Sequence, residues 1–209
     1  DLEPERSWIG ELALDVKRKL WSGAVALYRN QIDDVILPRL VDPGGPQTGD
    51  ETYLRDNMGS VELYGVEGRL SRRFAEDSPW SLGLMAEWVE GTQHNDLVDP
   101  NSGEPFDGEP ARRIPPLHGA VGLRFEPERL FVGRIGWAEL TWSWALEQER
   151  LAPQDLSDPR IDPSGTDGWT TLDLDLGGPI GERTQGSTWF VGLHNLLDES
   201  YRTHVSGFD

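Results

Sequence analysis

The 209-residue sequence contains no cysteine. That excludes a disulfide framework, a thiolate metal site and a thiol nucleophile, and leaves the redox compartment open. No run approaches the ~20 apolar residues that a membrane-spanning helix needs. Basic residues are few: 19 Lys and Arg stand against 37 Asp and Glu, for a formal net charge of −18. A nucleic-acid partner requires a basic face, so that class is excluded. Solubility and self-repulsion are the ordinary consequences of such a charge. Histidine is scarce as well. His94, His118, His194 and His204 stand apart, and none pairs with another at metal-ligand spacing. There is no HExxH, no GxSxG and no phosphate loop. The residues therefore predict no catalytic, metal or cofactor site. The chain starts at Asp1, and any targeting signal is expected to lie outside it.

What is present is period two. Hydrophobic residues make up 36%, and 24 glycines bring the total into the ordinary globular range. "WTTLDLDLGG" places Leu172, Leu174 and Leu176 on one face and Thr171, Asp173 and Asp175 on the other. "WSLGLMAEW" sets Trp80, Leu82, Leu84, Ala86 and Trp88 against Ser81, Gly83, Met85 and Glu87. "PPLHGAVGLRF" alternates in the same way, with His118 and Arg124 on its polar phase. Such alternation marks a sheet with one apolar and one polar face. "IGELALDVKRKLW" also fits a helix, and is read as a strand by analogy with the clearer segments. Eight strands are predicted, at about residues 7–16, 20–37, 57–74, 80–91, 114–125, 130–146, 168–177 and 187–197.

The links alternate in length. Short turns fall at 17–19, 75–79, 126–129 and 178–186, and long Gly/Pro-rich loops at 38–56, 92–113 and 147–167. Another long loop starts at Asp198. An all-β antiparallel meander, with short turns at one rim and long loops at the other, gives this rhythm. Soluble β-sandwiches show turn signals every 8–12 residues or so, whereas several strands here are longer. Transmembrane barrels combine short periplasmic turns, long external loops and apolar-out, polar-in strands. Trp80 and Trp88 share a phase roughly 26 Å apart along a strand, enough to mark two interfacial girdles. Trp137 lies in the opposite phase to Trp142 and Trp144. A bulge near Ala138 and Glu139 is expected to reconcile them.

Two sets of polar residues bear on chemistry. Asp173 and Asp175 share a strand face about 7 Å apart, a spacing that can serve glycoside hydrolysis. Neither has a pKa-raising apolar neighbour in sequence, and a polar wall is the preferred reading. Asp96, Asp99, Glu104, Asp107 and Glu109 crowd one loop without the regular spacing of a Ca²⁺ loop, so a hydrated surface is expected. His118 and His194 fall on polar phases of strands. His94 and His204 sit in loops; a plain exposed histidine is the preferred reading of each, and they are the candidates for touching a ligand such as haem.

Five segments, in this order, resemble one family. "LEPERSWIGELALDVKR" is similar to the motif in which L-x-P-E precedes a strand of TonB-dependent receptors. "VALYRNQIDDVIL" resembles the strand that follows. "DNMGSVELYGVEGRLSRRF" matches N-x-G followed by G-V-E, carried by Asn57, Gly59, Gly65, Val66 and Glu67. "RRIPPLHGAVGLRF" has the I-P-P strand opening. "VGLHNLLDESYRTH" matches N-L-x-D-x-x-Y-x-x-H.

The resemblance implies a non-enzymatic outer-membrane receptor of Gram-negative bacteria. It implies energy-coupled uptake of a scarce solute such as a ferric siderophore or haem, with no cofactor. "DPRIDPSGTDGWTTLDL" and "YRTHVSG" are most similar to the haem and iron branch. The expected partners are outer-membrane lipid, a metal chelate or haem, and the TonB complex reached through a plug domain. Residues 1–209 are expected to be the C-terminal portion of the barrel, an open fragment of about eight strands out of 22. The plug, the first half of the barrel and the last strand are expected to lie outside it. In this scheme Glu62 must face the lumen, in phase with Tyr64 and Val66. The rival reading from the residues is a soluble β-sandwich binding module, with exposed Trp as carbohydrate platforms.

Overall fold

The computed structural model describes residues 2–42, 52–57, 59–98, 105–127, 135–156, 162–180 and 186–204. Its main sheet is an antiparallel meander. The strands β1 (Arg6–Lys17), β2 (Trp21–Asp33), β5 (Ser60–Arg73), β6 (Trp80–Val98), β8 (His118–Phe125), β9 (Trp137–Ala145), β10 (Trp169–Pro179) and β11 (Thr188–Leu193) pair in that order. These are the eight expected strands. Both ends of the order are edges, so the sheet is open. Between β2 and β5, β3 (Ile36–Asp42) and β4 (Thr52–Asn57) form a separate hairpin. β7 (Pro105–Pro110) returns along the extension of β6, and one helical turn, α1 (Pro153–Leu156), interrupts the link from β9 to β10.

The strand limits have local causes. Asp34 takes a φ of 58°, which turns the chain out of the ladder after Asp33. Pro115 and Pro116 lack donors, so β8 begins only at His118. The Asn57 amide donates to the Glu3 and Asp34 carbonyls at 2.8 and 2.7 Å, and its Oδ1 accepts the Glu3 N–H at 2.8 Å. Asn57 thereby stitches the entry to β1 onto the base of the β3–β4 hairpin. Gly59, with a φ of 82°, supplies the left-handed step that restarts β5.

Cross-strand partners share a face, which lets the register sort every side chain. One face runs through Leu12, Leu27, Val66, Trp88, Leu84, Val121, Trp142, Leu172, Leu174, Leu176 and Val191. The other carries Glu11, Tyr28, Glu67, Glu87, His118, Glu139, Asp173 and Asp175. The three leucines and two aspartates of β10 divide as expected. The apolar face is uncovered: Leu12 is 72% exposed, Leu14 61% and Leu27 51%. Among the described residues the buried hydrophobic side chains are four alanines: Ala26, Ala111, Ala145 and Ala152. A sandwich buries its large apolar residues between two sheets. Here there is one layer, and the carbohydrate-binding sandwich is set aside. So wide an apolar face exceeds the few hundred Å² that a soluble monomer exposes.

Two finer expectations are corrected. Glu62 is in phase with Tyr64 and Val66, but that phase is the apolar face. It lies beyond the apolar band towards the long loops and pairs with Arg29 at 2.8 Å, so its charge is not set against Leu or Val. Nor is there a bulge at Ala138 and Glu139. The register of β9 is unbroken from Trp137 to Ala145 against β10 and from Ala138 to Ala145 against β8. Trp137 belongs to the polar face, where Arg124 sits 4.6 Å from its ring centroid. The aromatics of the apolar face fall at two levels. Trp80 packs on Phe125 at 4.7 Å near the short turns, and Trp88 meets Tyr64 edge-on at 5.8 Å near the long loops.

Candidate functional site

Two regions carry the charged and polar groups: the inner face of the wall and the rim of long loops. On the inner face the pleat places acids on neighbouring strands side by side. Glu67 stands opposite Glu87, and Glu139 opposite Asp175. Cations temper the crowding. Arg124 on β8 donates to Glu139 at 2.9 Å and to Glu126 at 3.1 Å, and the Asp15–Arg69 pair lies at 3.5 Å. His118 Nδ1 lies 2.9 Å from the Pro116 carbonyl oxygen, with Nε2 3.8 Å from Glu87. Glycine makes room for large rings. A Cβ on Gly65 would lie 2.5 Å from the Tyr28 hydroxyl, and one on Gly177 2.5 Å from the Trp137 indole nitrogen. The Trp137 ring thus lies across Gly177 and stacks on Phe190 at 6.1 Å.

Asp173 and Asp175 do not form a hydrolytic pair. The Asp173 carboxylate accepts the backbone N–H of Asn195 at 2.7 Å and faces His194 at 3.9 Å. Asp175 sits half-buried between Glu139 and Gly192, with one carboxylate oxygen buried. The Asp173 carboxylate thus serves to tie the turn after β11 to the wall.

At the rim, three loops meet. Asp155 in α1 is fully buried and accepts the Arg112 Nε–H at 2.7 Å and the Arg113 backbone N–H at 3.3 Å. Gln148 pairs with Thr166 in a two-way backbone bridge, and its side chain donates to the Ile114 carbonyl at 2.9 Å. His204 is 6% exposed, with Nδ1 2.9 Å from the Thr166 hydroxyl. Burial pushes its ring below the ordinary histidine range, opposed by the Asp155 charge and aided by Arg113. Beside this joint lies a polar recess of about 1100 Å³, lined among others by Asp162, Ser164, Asp167, Glu199, Tyr201 and Arg202. Ser164 donates from both its backbone and its hydroxyl to Asp162, which lowers that carboxyl below its usual range. Tyr201 packs on Trp169 at 4.5 Å.

The two loop histidines therefore differ. His94 is exposed on the extension of β6, opposite Ser60 of β5 and Asp107 of β7. His204 is a buried member of the loop joint. In the acidic loop, Asp99 and Glu104 lie outside the described residues. Among the described residues no three His, Asp or Glu side chains are grouped to hold a metal ion. Asp155 and Arg112, which organise the rim, carry no periodic or motif signal in the sequence. Only their spatial meeting reveals them.

A one-layer antiparallel wall, apolar on one face and charged on the other, with long loops at one rim, has the pattern of a β-barrel segment. The profile described as "TonB dependent receptor-like, beta-barrel" matches residues 1–196, and the chain belongs to that family. Among solved structures, the copper transporter OprC superposes with a TM-score of 0.71 at 19% identity, covering 98% of this chain and 27% of that one. The FrpB iron transporter of Neisseria meningitidis gives 0.65 at 11% identity, over 96% and 28%. The ferric yersiniabactin uptake receptor FyuA of Yersinia pestis gives 0.61 at 19%, over 95% and 26%. The chain thus spans about a quarter of the length of these relatives.

Proposed function

We propose that this chain is part of the wall of an outer-membrane receptor that imports a ferric siderophore or haem by energy-coupled transport. The observation that carries the reading is the two-faced single layer. Its apolar face needs lipid as a partner, and its acid-rich inner face suits a path for polar solutes. The family supports a receptor role. The names of the structural neighbours, a copper transporter, an iron transporter and a ferric yersiniabactin receptor, favour a metal chelate as cargo. Coupling to the TonB complex falls to a plug domain outside these residues. The family is one of receptors and transporters, so the protein is read as a transporter and not an enzyme.

The rim is the place of capture. Its recess offers hydroxyls, carboxylates, Arg202 and the ring of Tyr201, itself backed by Trp169, which suit a flat or aromatic chelate with a polar edge. His94, exposed on the extension of β6, is the loop histidine proposed to contact haem, while His204 shapes the rim. The test uses the full-length receptor in detergent, titrated by tryptophan fluorescence with haem, a ferric catecholate, a ferric hydroxamate and a copper chelate. Saturable binding of haem or one ferric chelate is expected, weakened several-fold in H94A if haem is the cargo. Binding of none of the iron ligands, with normal growth of a deletion strain under iron restriction, would sink the proposal.

A further inference from the structure

The joint between the three long loops has a feature that transport does not require. Asp155 is a fully buried carboxylate whose charge is already met by the Arg112 guanidinium at 2.7 Å and by the Arg113 backbone N–H at 3.3 Å. Its neighbour His204 is almost as buried and lies 2.9 Å from the Thr166 hydroxyl. Thr166 is in turn fixed by its backbone bridge to Gln148, and Gln148 reaches the Ile114 carbonyl. Gly165, with a φ of 109°, allows the close approach, since a Cβ there would lie 2.4 Å from the Gln148 carbonyl oxygen. Residues after β7, residues between β9 and β10, and residues after β11 are thus closed on one another by the contacts of Asp155 with Arg112 and Arg113, of Gln148 with Ile114 and of Thr166 with His204.

We propose that Asp155 and His204 latch these three loops into one body, and that acidification releases the loop after β11 by protonating the His204 ring. The charges around the ring carry the argument. α1 presents Asp155, the segment after β7 presents Arg112 and Arg113, and the loop leading into β10 presents the uncharged Thr166. On its own segment stands Arg202, near Asp162. A proton on His204 adds a further positive charge to a closed site whose one buried carboxylate already has a guanidinium. Desolvation favours the neutral ring, in agreement with the downward displacement of its titration. A histidine held neutral in the closed state stabilises that state fully above its free value of ~6.5, and the stabilisation is lost as pH falls below it. The Asp155–Arg112 contact does not involve the His204 ring, so the loop after β7 stays attached to α1 while residues 199–204 come free.

Amide exchange by mass spectrometry on the full-length receptor in detergent tests this, with rates corrected for intrinsic pH dependence. Between pH 7.5 and 5.0, exchange in residues 199–204 should accelerate at least tenfold. Residues 60–73 of the wall serve as the reference and should stay constant. In H204Q, which keeps a neutral polar side chain at every pH, the acceleration should vanish. In T166V, which removes the ring's partner, residues 199–204 should already exchange fast at pH 7.5. An acceleration that survives in H204Q, no acceleration in the wild type, or wild-type protection in T166V at pH 7.5 would each overturn the latch.

Discussion

The Asp173 carboxylate on β10 accepts the backbone N–H of Asn195, just past the end of β11, at 2.7 Å. That bond fixes where the last described strand ends. Asn195 takes a φ of 53° and leaves the ladder. Its side chain then closes a loop, accepting the Glu199 N–H at 3.0 Å and donating to the Glu199 carbonyl at 2.9 Å. Asp198 donates to the Asn195 carbonyl at 2.9 Å and is itself left-handed, with a φ of 52°. The N-L-x-D pattern is therefore a turn device, anchored to the wall by an acid of the neighbouring strand.

The first prediction follows from that anchor. D173A leaves the Asn195 N–H without its charged acceptor in a partly buried place. A hydrogen bond to a charged group is worth ~1.5–3 kcal/mol, and partial exposure puts this one at the lower end. D173A should lower the midpoint of thermal unfolding of the full-length receptor in detergent, and faster amide exchange should be confined to residues 194–199. D175A, whose carboxylate holds no backbone, should leave that exchange unchanged.

A second prediction tests the division of faces. Leu84 and Met85 are consecutive on β6 and point to opposite sides, with Leu84 opposite Leu70 and Val121 on the apolar face. An arginine near the middle of a lipid-facing wall costs about 2–4 kcal/mol. L84R should destabilise the receptor by that amount in denaturant titration from lipid vesicles. M85R, beside Ala120 on the inner face, should cost less than about 1 kcal/mol on the same measure. Equal effects would mean that the faces have been wrongly assigned.

A third concerns Gly65, where Tyr28 of β2 crosses onto β5. A methyl there would lie 2.5 Å from the Tyr28 hydroxyl and 2.6 Å from the Trp88 carbonyl oxygen. Overpacking of this kind costs typically ~1–3 kcal/mol, occasionally more. G65A should unfold at lower denaturant, and adding Y28A should restore only part of the loss, because the Trp88 carbonyl remains. Complete rescue by Y28A would show that the backbone of β6 can yield.

How much of this was legible depends on what alternation can report. All eight wall strands are visible because each alternates an apolar with a polar face, as Leu172, Leu174 and Leu176 do against Asp173 and Asp175. Their ends are not. The strand read through to Leu37 stops at Asp33, because a left-handed Asp34 leaves no mark on periodicity. The strand starting at Trp80 runs on to Val98, and β3, β4 and β7 lie in segments whose glycines and prolines read as loop. Phase alone could not place Trp137 inside, because its reason is Arg124, a residue 13 positions earlier on β8. Glu62 was misplaced for a similar cause: its partner Arg29 belongs to β2. The rim was least legible of all. Asp155 looks like one acid among many until folding brings Arg112 to it.

The last prediction concerns the two edges. Among the described residues β1 pairs only with β2, and β11 only with β10, so each presents a row of backbone N–H and C=O groups with no strand partner among them. Along β11 the apolar side chains are exposed too, with Phe190 at 63% and Val191 and Leu193 at 49% each. Such an edge invites pairing with another chain. In hydrocarbon each unpaired polar group costs several kcal/mol, so an open sheet cannot be a stable spanning state. The 209-residue chain produced alone should therefore aggregate in buffer despite its charge of −18 and disperse only in detergent. In detergent, the amides of β11 that do not bond to β10 should exchange quickly, while those of β5, paired on both sides, stay protected. In the full-length receptor the same β11 amides should be slow, held by the next strand of the closed barrel. Equal protection of Val191 and Leu193 in both proteins would mean that these eight strands close on themselves. Closing eight strands would demand a far narrower barrel than the 22-stranded barrels of outer-membrane transporters.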